Sequence, residues 1–152
     1  MELTQKETSL LKDMKEQEQI CVEKYNKYAS DACDGQLKNL FTQLGQTEQQ
    51  HLNTITQIMS GTVPAMQSGD SQQQQNTMPT YTASSSDQNK QKDGYLCNDA
   101  LSTEKHVSSV YNTGIFEFKD PNIRNILNHI QKEEQQHGEK IYNDMAQNGM
   151  YN

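Results

Sequence analysis

Apolar residues recur at three- and four-residue steps in four stretches of the chain, and those stretches predict four amphipathic helices. Leu11, Met14, Cys21, Val22, Tyr25, Tyr28, Ala29 and Ala32 mark the first, which opens on the capping box Thr4-x-x-Glu7 and breaks at Asp34-Gly35. Leu37, Leu40, Phe41, Leu44, Ile55, Ile58 and Met59 mark the second, ending near Gly61. The third runs from Leu96 or Asn98 through Ala100, Leu101, Val107, Tyr111 and Ile115 to Phe118. Asp120-Pro121 supplies an N-cap and a proline at the first helical position, and Ile123, Ile126, Leu127, Ile130, Ile141 and Met145 carry the fourth up to Asn148-Gly149. The predicted spans are about 5–33, 36–60, 96–119 and 121–147.

Between the second and third helices, residues 62–92 change character. Gln72 to Gln75, Met78-Pro79 and Ser84-Ser85-Ser86 cannot bury enough apolar surface to order themselves, so a flexible connection is expected. Its 31 residues can run the full length of a bundle, as a long crossover requires. The fold class expected is all-α: one antiparallel four-helix domain over residues 1–152, built from two helical hairpins. A lone hairpin would leave its apolar stripe exposed.

Each stripe is interrupted by charge, and the interruptions repeat. Glu48-Gln49-Gln50-His51 recurs letter for letter as Glu134-Gln135-Gln136-His137, an offset of 86 residues. The same step carries Glu18 to Glu104, Tyr25 to Tyr111, Asp34 to Asp120, Asn39 to Asn125 and Ile55 to Ile141. Residues 18–59 against 104–145 share eleven identities over 42 positions, so the chain is an internal duplication of one hairpin. A Glu three residues before a His on a helix puts carboxylate and imidazole on one face. Folding the first hairpin about Asp34 brings Glu18 level with residue 50, and folding the second about Asp120 brings Glu104 level with residue 136. Glu18, Glu48 and His51 therefore converge, as do Glu104, Glu134 and His137.

One Glu from each of two helices plus Glu-x-x-His from each of the other two is the ligand set of carboxylate-bridged dimetal bundles. The alternative is a relic set of polar groups hydrogen-bonded inside the core. Four carboxylates in one apolar interior would repel one another and be costly to desolvate unless protonated or bound to cations. Oxygen and imidazole donors without thiolate suit iron first, with manganese or zinc as alternatives.

Composition narrows the partners. Net charge is −7 with no basic run, which argues against nucleic acid. No stretch approaches the length and apolarity of a membrane span, and Met1 to Glu7 has no apolar signal core, so a product made in the cytoplasm is expected. Cys21, Cys33 and Cys97 are odd in number and form no CxxC, which points to reduced thiols rather than zinc or disulfides; Cys21 shares the face of Glu18.

The run from Glu18 through Tyr25, Tyr28-Ala29 and Ala32 to Phe41 and Glu48-x-x-His51 resembles the first half of a rubrerythrin or bacterioferritin bundle. That resemblance covers about 110 residues and implies a ferritin-like fold with two metal ions, Glu48 and Glu134 bridging them. Glu18 with His51, and Glu104 with His137, would complete one metal each, and Tyr25 and Tyr111 would hydrogen-bond a ligating carboxylate from outside. A di-iron oxidase or peroxidase activity of the ferroxidase kind is then the implied chemistry. Two features depart from rubrerythrin: Val107 stands where that family has a further Glu, and paired CxxC motifs are lacking.

The chain as a whole, from its Gln/Ser/Met-rich middle to Ile123-Arg124-Asn125-Ile126-Leu127 and the ending Ile141-Tyr142-Asn143-Asp144-Met145, resembles the Coat F family of spore coat proteins. This implies synthesis in the mother cell, deployment in the spore coat and other coat proteins as partners. The competing expectation is a purely structural coat block whose metal site is relic or unoccupied, with Tyr81, Tyr95, Tyr142 and Tyr151 as contacts. The long linker would also permit a homodimer formed by exchanging hairpins.

Overall fold

The computed structural model describes residues 2–65 and 87–150. Four α-helices follow one another, α1 (Gln5–Asp31), α2 (Gly35–Met59), α3 (Asp87–Glu117) and α4 (Pro121–Gln147), and no strand occurs among the described residues. Local chemistry sets the ends. Thr4 Oγ1 accepts the Glu7 N–H at 3.1 Å while Glu7 Oε2 accepts the Thr4 N–H at 2.7 Å, closing the capping box on α1. Asp34 accepts the Leu37 N–H to cap α2, and Asp120 accepts the Asn122 N–H ahead of Pro121 to cap α4. Gly61 (φ 93°) and Gly149 (φ 67°) take the left-handed conformation after α2 and α4, where a side chain would be strained.

The hairpins pack α1 on α2 and α3 on α4, and join chiefly along α1 and α3, with α2 and α4 meeting less closely. Glu7, at the start of α1, accepts the Lys119 N–H beyond the end of α3 at 3.1 Å. Asp93, near the start of α3, accepts the N–H groups of Cys33 and Asp34 beyond the end of α1 at 2.8 and 3.0 Å. α1 and α3 are therefore antiparallel, so α2 ends and α3 begins at opposite ends of the bundle, about 37 Å apart for a 25-residue helix. That separation is what the long crossover predicted from the sequence requires. Residues 66–86 of the predicted linker, and Tyr81 with it, lie outside the described residues, as does Tyr151.

These contacts obey the step of 86. Glu7 corresponds to Asp93 and Cys33 to Lys119, so the two cross-hairpin clasps are one interaction used twice. Lys38 and its counterpart Arg124 also each donate to two carbonyls of the other arm of their own hairpin, Lys38 to Ala29 and Ser30 within α1 and Arg124 to Phe118 and Lys119 just past α3. The duplication is a structural pseudo-twofold. It relates two apolar clusters, one around Leu11, Met14, Ile55, Tyr111 and Leu127, the other around Tyr25, Leu37, Phe41, Cys97 and Ile141. The charged ligand positions of the sequence lie between them.

α3 begins at Asp87, earlier than the position near 96 that apolar spacing suggests, so residues 87–92 are helical and not linker. Gln88 to Lys92 carry no apolar residue, which hides the extra turns from periodicity. The helix is anchored there by a polar contact, the buried Asp93 clasping the α1–α2 turn. The other three helices run within two residues of their expected limits.

Candidate metal centre

Glu18 comes from α1, Glu48 and His51 from α2, Glu104 from α3, Glu134 and His137 from α4, and all six are buried at mid-bundle. Each histidine turns Nδ1 inward and meets the glutamate of the opposite Glu-x-x-His motif first: His51 to Glu134 Oε1 at 3.0 Å, His137 to Glu48 Oε1 at 2.9 Å. Glu48 Oε2 at 3.4 Å and Glu18 Oε1 at 3.7 Å surround His51, and Glu104 Oε1 at 3.3 Å and Glu134 Oε2 at 3.6 Å surround His137. The imidazoles stack with centroids 6.0 Å apart.

Two groups result. Glu18, Glu48, His51 and Glu134 each bring a ligand atom within 4.8 Å of the others, and so do Glu48, Glu104, Glu134 and His137. Glu48 and Glu134 belong to both. The six residues singled out from sequence are thus brought together, divided as the duplication suggests.

Tyr25 and Tyr111 stand just outside. Tyr111 Oη donates to Glu18 Oε1 at 2.6 Å, and Tyr25 Oη donates to Glu104 Oε1. The pairing is crossed, each tyrosine serving the glutamate of the other hairpin. Burial first, and then the carboxylate it faces, pushes each phenol well above its ordinary pKa, so both remain donors.

Without a cation, protons must offset the crowded charge. Burial and the neighbouring Glu48 push Glu18 up to about 8, and burial with Glu104 raises Glu134. Burial alone would raise Glu48 too, but the facing Glu18 carboxyl and the imidazoles of His137 and His51 hold it well below the usual carboxylate range. Burial would also lower both imidazoles, yet the carboxylates around each outweigh it and raise them. Cys21 joins neither ligand group; burial, then the four carboxylates, pushes its thiol up, which keeps it protonated.

One neighbour of the centre lies outside the repeated pattern. Glu133 Oε1 lies 3.2 Å from His51 Nε2 and 3.0 Å from His129 Nε2. The available signal was an acidic residue directly before the Glu-x-x-His motif with a histidine four residues earlier on the same helix face. Two clefts approach the centre. One of about 390 Å³ between α2 and α4 has His51, Gln50, Thr54, His129 and Glu133 in its wall. Another of about 530 Å³ between α3 and α4 reaches Glu104 and Glu134 beside Leu101 and Tyr142.

Residues 92–152 match the family model of the Coat F domain. No curated protein matches the chain. Among solved structures, a two-domain protein of Anabaena variabilis containing DJ-1/ThiJ/PfpI-like and ferritin-like domains is similar, with a TM-score of 0.65 at 17% identity. The match covers 90% of this chain and 34% of that one, so the chain spans about a third of that protein's length. At such identity the likeness defines the fold, which is ferritin-like.

Proposed function

We propose, for a chain that carries a Coat F domain over residues 92–152 within a ferritin-like fold, a spore coat protein whose bundle holds two metal ions. One observation carries the reading: Oε2 of Glu18, of Glu48, of Glu104 and of Glu134 is buried without any hydrogen-bond partner. An orphaned buried polar atom costs about 1–3 kcal/mol, and more when charged. Four of them converging at one place favour a cationic occupant.

The donor set fits such an occupant. Four carboxylates balance two divalent cations, leaving both histidines neutral to offer Nδ1. Glu48 and Glu134 would be shared; Glu18 with His51, and Glu104 with His137, would complete one position each. Carboxylate and imidazole donors suit iron, with manganese and zinc as alternatives. Redox-active ions held there would supply electrons for reducing dioxygen or peroxide. The chain's own contribution is to orient Glu18 and Glu104 through Tyr111 and Tyr25, to exclude water with the flanking apolar clusters, and to admit small molecules through the clefts. Other coat proteins are the expected partners.

The test is elemental analysis of protein purified without a metal-affinity tag, wild type against His51→Ala/His137→Ala. About two equivalents of metal, lost in the variant, support the site. Their absence even after anaerobic loading with ferrous ion refutes it and leaves the bundle as a structural coat component. Peroxide consumption no faster than in Glu48→Ala/Glu134→Ala would remove the oxidant-consuming role alone.

A further inference from the structure

The two halves of the centre are not equal, and Glu133 is the difference. The step of 86 places Thr47 opposite Glu133 and Gln43 opposite His129. The ring of His51 is held from both edges, Nδ1 among Glu134, Glu48 and Glu18, Nε2 against Glu133. His137 has the same three-carboxylate surround at Nδ1, but its Nε2 meets no protein acceptor among the described residues. Thr47, standing where a counterpart of Glu133 would be, turns its hydroxyl to the Gln43 carbonyl at 3.3 Å. The α2–α4 cleft opens on the same side as the difference, with Glu133 and His129 in the wall beside His51.

A carboxylate on the outer nitrogen of a metal-binding imidazole places the proton on Nε2, turns the Nδ1 lone pair towards the ion and strengthens it as a donor. Partners of this kind change metal affinity by about 10–100-fold. We infer that the position formed by Glu18 and His51 with the shared Glu48 and Glu134 is the tighter of the two and fills first with a divalent first-row cation, and that Glu133 is the positioning residue responsible. The inference rests on the two-metal reading above.

The experiment is an anaerobic titration of the metal-free full chain with Co²⁺ against a competing chelator. Wild type is expected to bind in two resolved steps. His51→Ala removes the tight step and His137→Ala leaves it in place. Glu133→Gln, which keeps a hydrogen-bonding oxygen but no charge, weakens the first step by about tenfold to a hundredfold and leaves the second unmoved. Glu133 also faces His51 in the metal-free protein, so metal-free melts are recorded first, and Glu133→Gln should stay folded at the temperature of the titration, which separates positioning from a folding defect. Thr47→Glu, which restores the missing carboxylate, should draw the second step towards the first. Two indistinguishable steps in wild type, a Glu133→Gln effect shared equally by both steps, or loss of the tight step in His137→Ala would overturn the inference while leaving the dimetal site intact. Failure of wild type to bind Co²⁺ at all would overturn the dimetal reading, and this inference with it.

Discussion

Asp144 occupies a position built for an apolar side chain. It is 2% exposed on the last turns of α4, and the step of 86 maps it onto Ile58, which is wholly buried in the core. Neither carboxylate oxygen has a hydrogen-bond partner of good geometry, and the nearby Asn148 side chain offsets its charge only in part. Burial first, then the charges of Asp34 and Asp93, push its pKa from 3.8 up to about 6. A folded-state pKa above the unfolded value means that the native protein binds the proton more tightly. The contribution to stability is therefore greatest below pH 4 and is lost as pH rises through 6. Two pKa units at 1.36 kcal/mol each make a native-state penalty of about 3 kcal/mol at pH 7 and above. Asp144→Asn removes the charge and leaves an unpaired amide costing about 1 kcal/mol, so the variant should gain about 2 kcal/mol at pH 8. At pH 4 the gain should vanish or reverse. Urea unfolding of metal-free protein at both pH values measures this. Asp144 lies two helical turns, about 10.5 Å, from His137, so titration of the metal ligands should cancel between variant and wild type. A variant equally displaced at both pH values, or less stable than wild type at pH 8, would refute the argument.

Three further outcomes are expected. A Cβ added at Gly114 would lie 2.0 Å from Met14 Cε, the free end of a flexible side chain that can swing aside, so Gly114→Ala should lose at most about 1 kcal/mol to repacking once about 1 kcal/mol of helix propensity is set against it. Thermal melts should show the loss relieved in Gly114→Ala/Met14→Leu. Tyr111→Phe strips the donor from Glu18 and should weaken metal binding by about tenfold or more in the Co²⁺ titration, with little change of secondary structure by circular dichroism. Burial would raise the Glu7 carboxylate, but the N–H groups of Thr4 and Lys119 outweigh it and hold it below its ordinary pKa. Its contribution is therefore full above the usual glutamate range and lost as pH falls; Glu7→Ala should cost about 1–2 kcal/mol in urea unfolding at pH 7 and progressively less on acidification.

The duplication made most of the site legible, and its own irregularities hid the rest. All six carboxylate and imidazole residues could be named because the pattern that carries them occurs twice at one spacing, and a hairpin with a short turn leaves little freedom of register. Glu133 is not legible in the repeat because Thr47 occupies the matching position. The start of α3 is hidden for a related reason. Glu7 had become Asp93, the Thr4 cap has only Lys90 as its counterpart, and an aspartate buried for its hydrogen bonds leaves no trace in a hydrophobic pattern.

Periodicity, caps and internal repetition are properties of neighbouring residues, and from them the sequence by itself determined four helices, their pairing into two hairpins and the charged face of each. Tertiary structure alone decided that Tyr25 serves Glu104 and Tyr111 serves Glu18, and that His51 meets Glu134 and His137 meets Glu48. It also decided that Asp144 would be buried without a well-formed hydrogen bond. Those contacts cross from one hairpin to the other. They depend on the rotation of each helix about its axis when the two apolar faces interdigitate, a quantity set by packing over the whole interface rather than by any local run of residues.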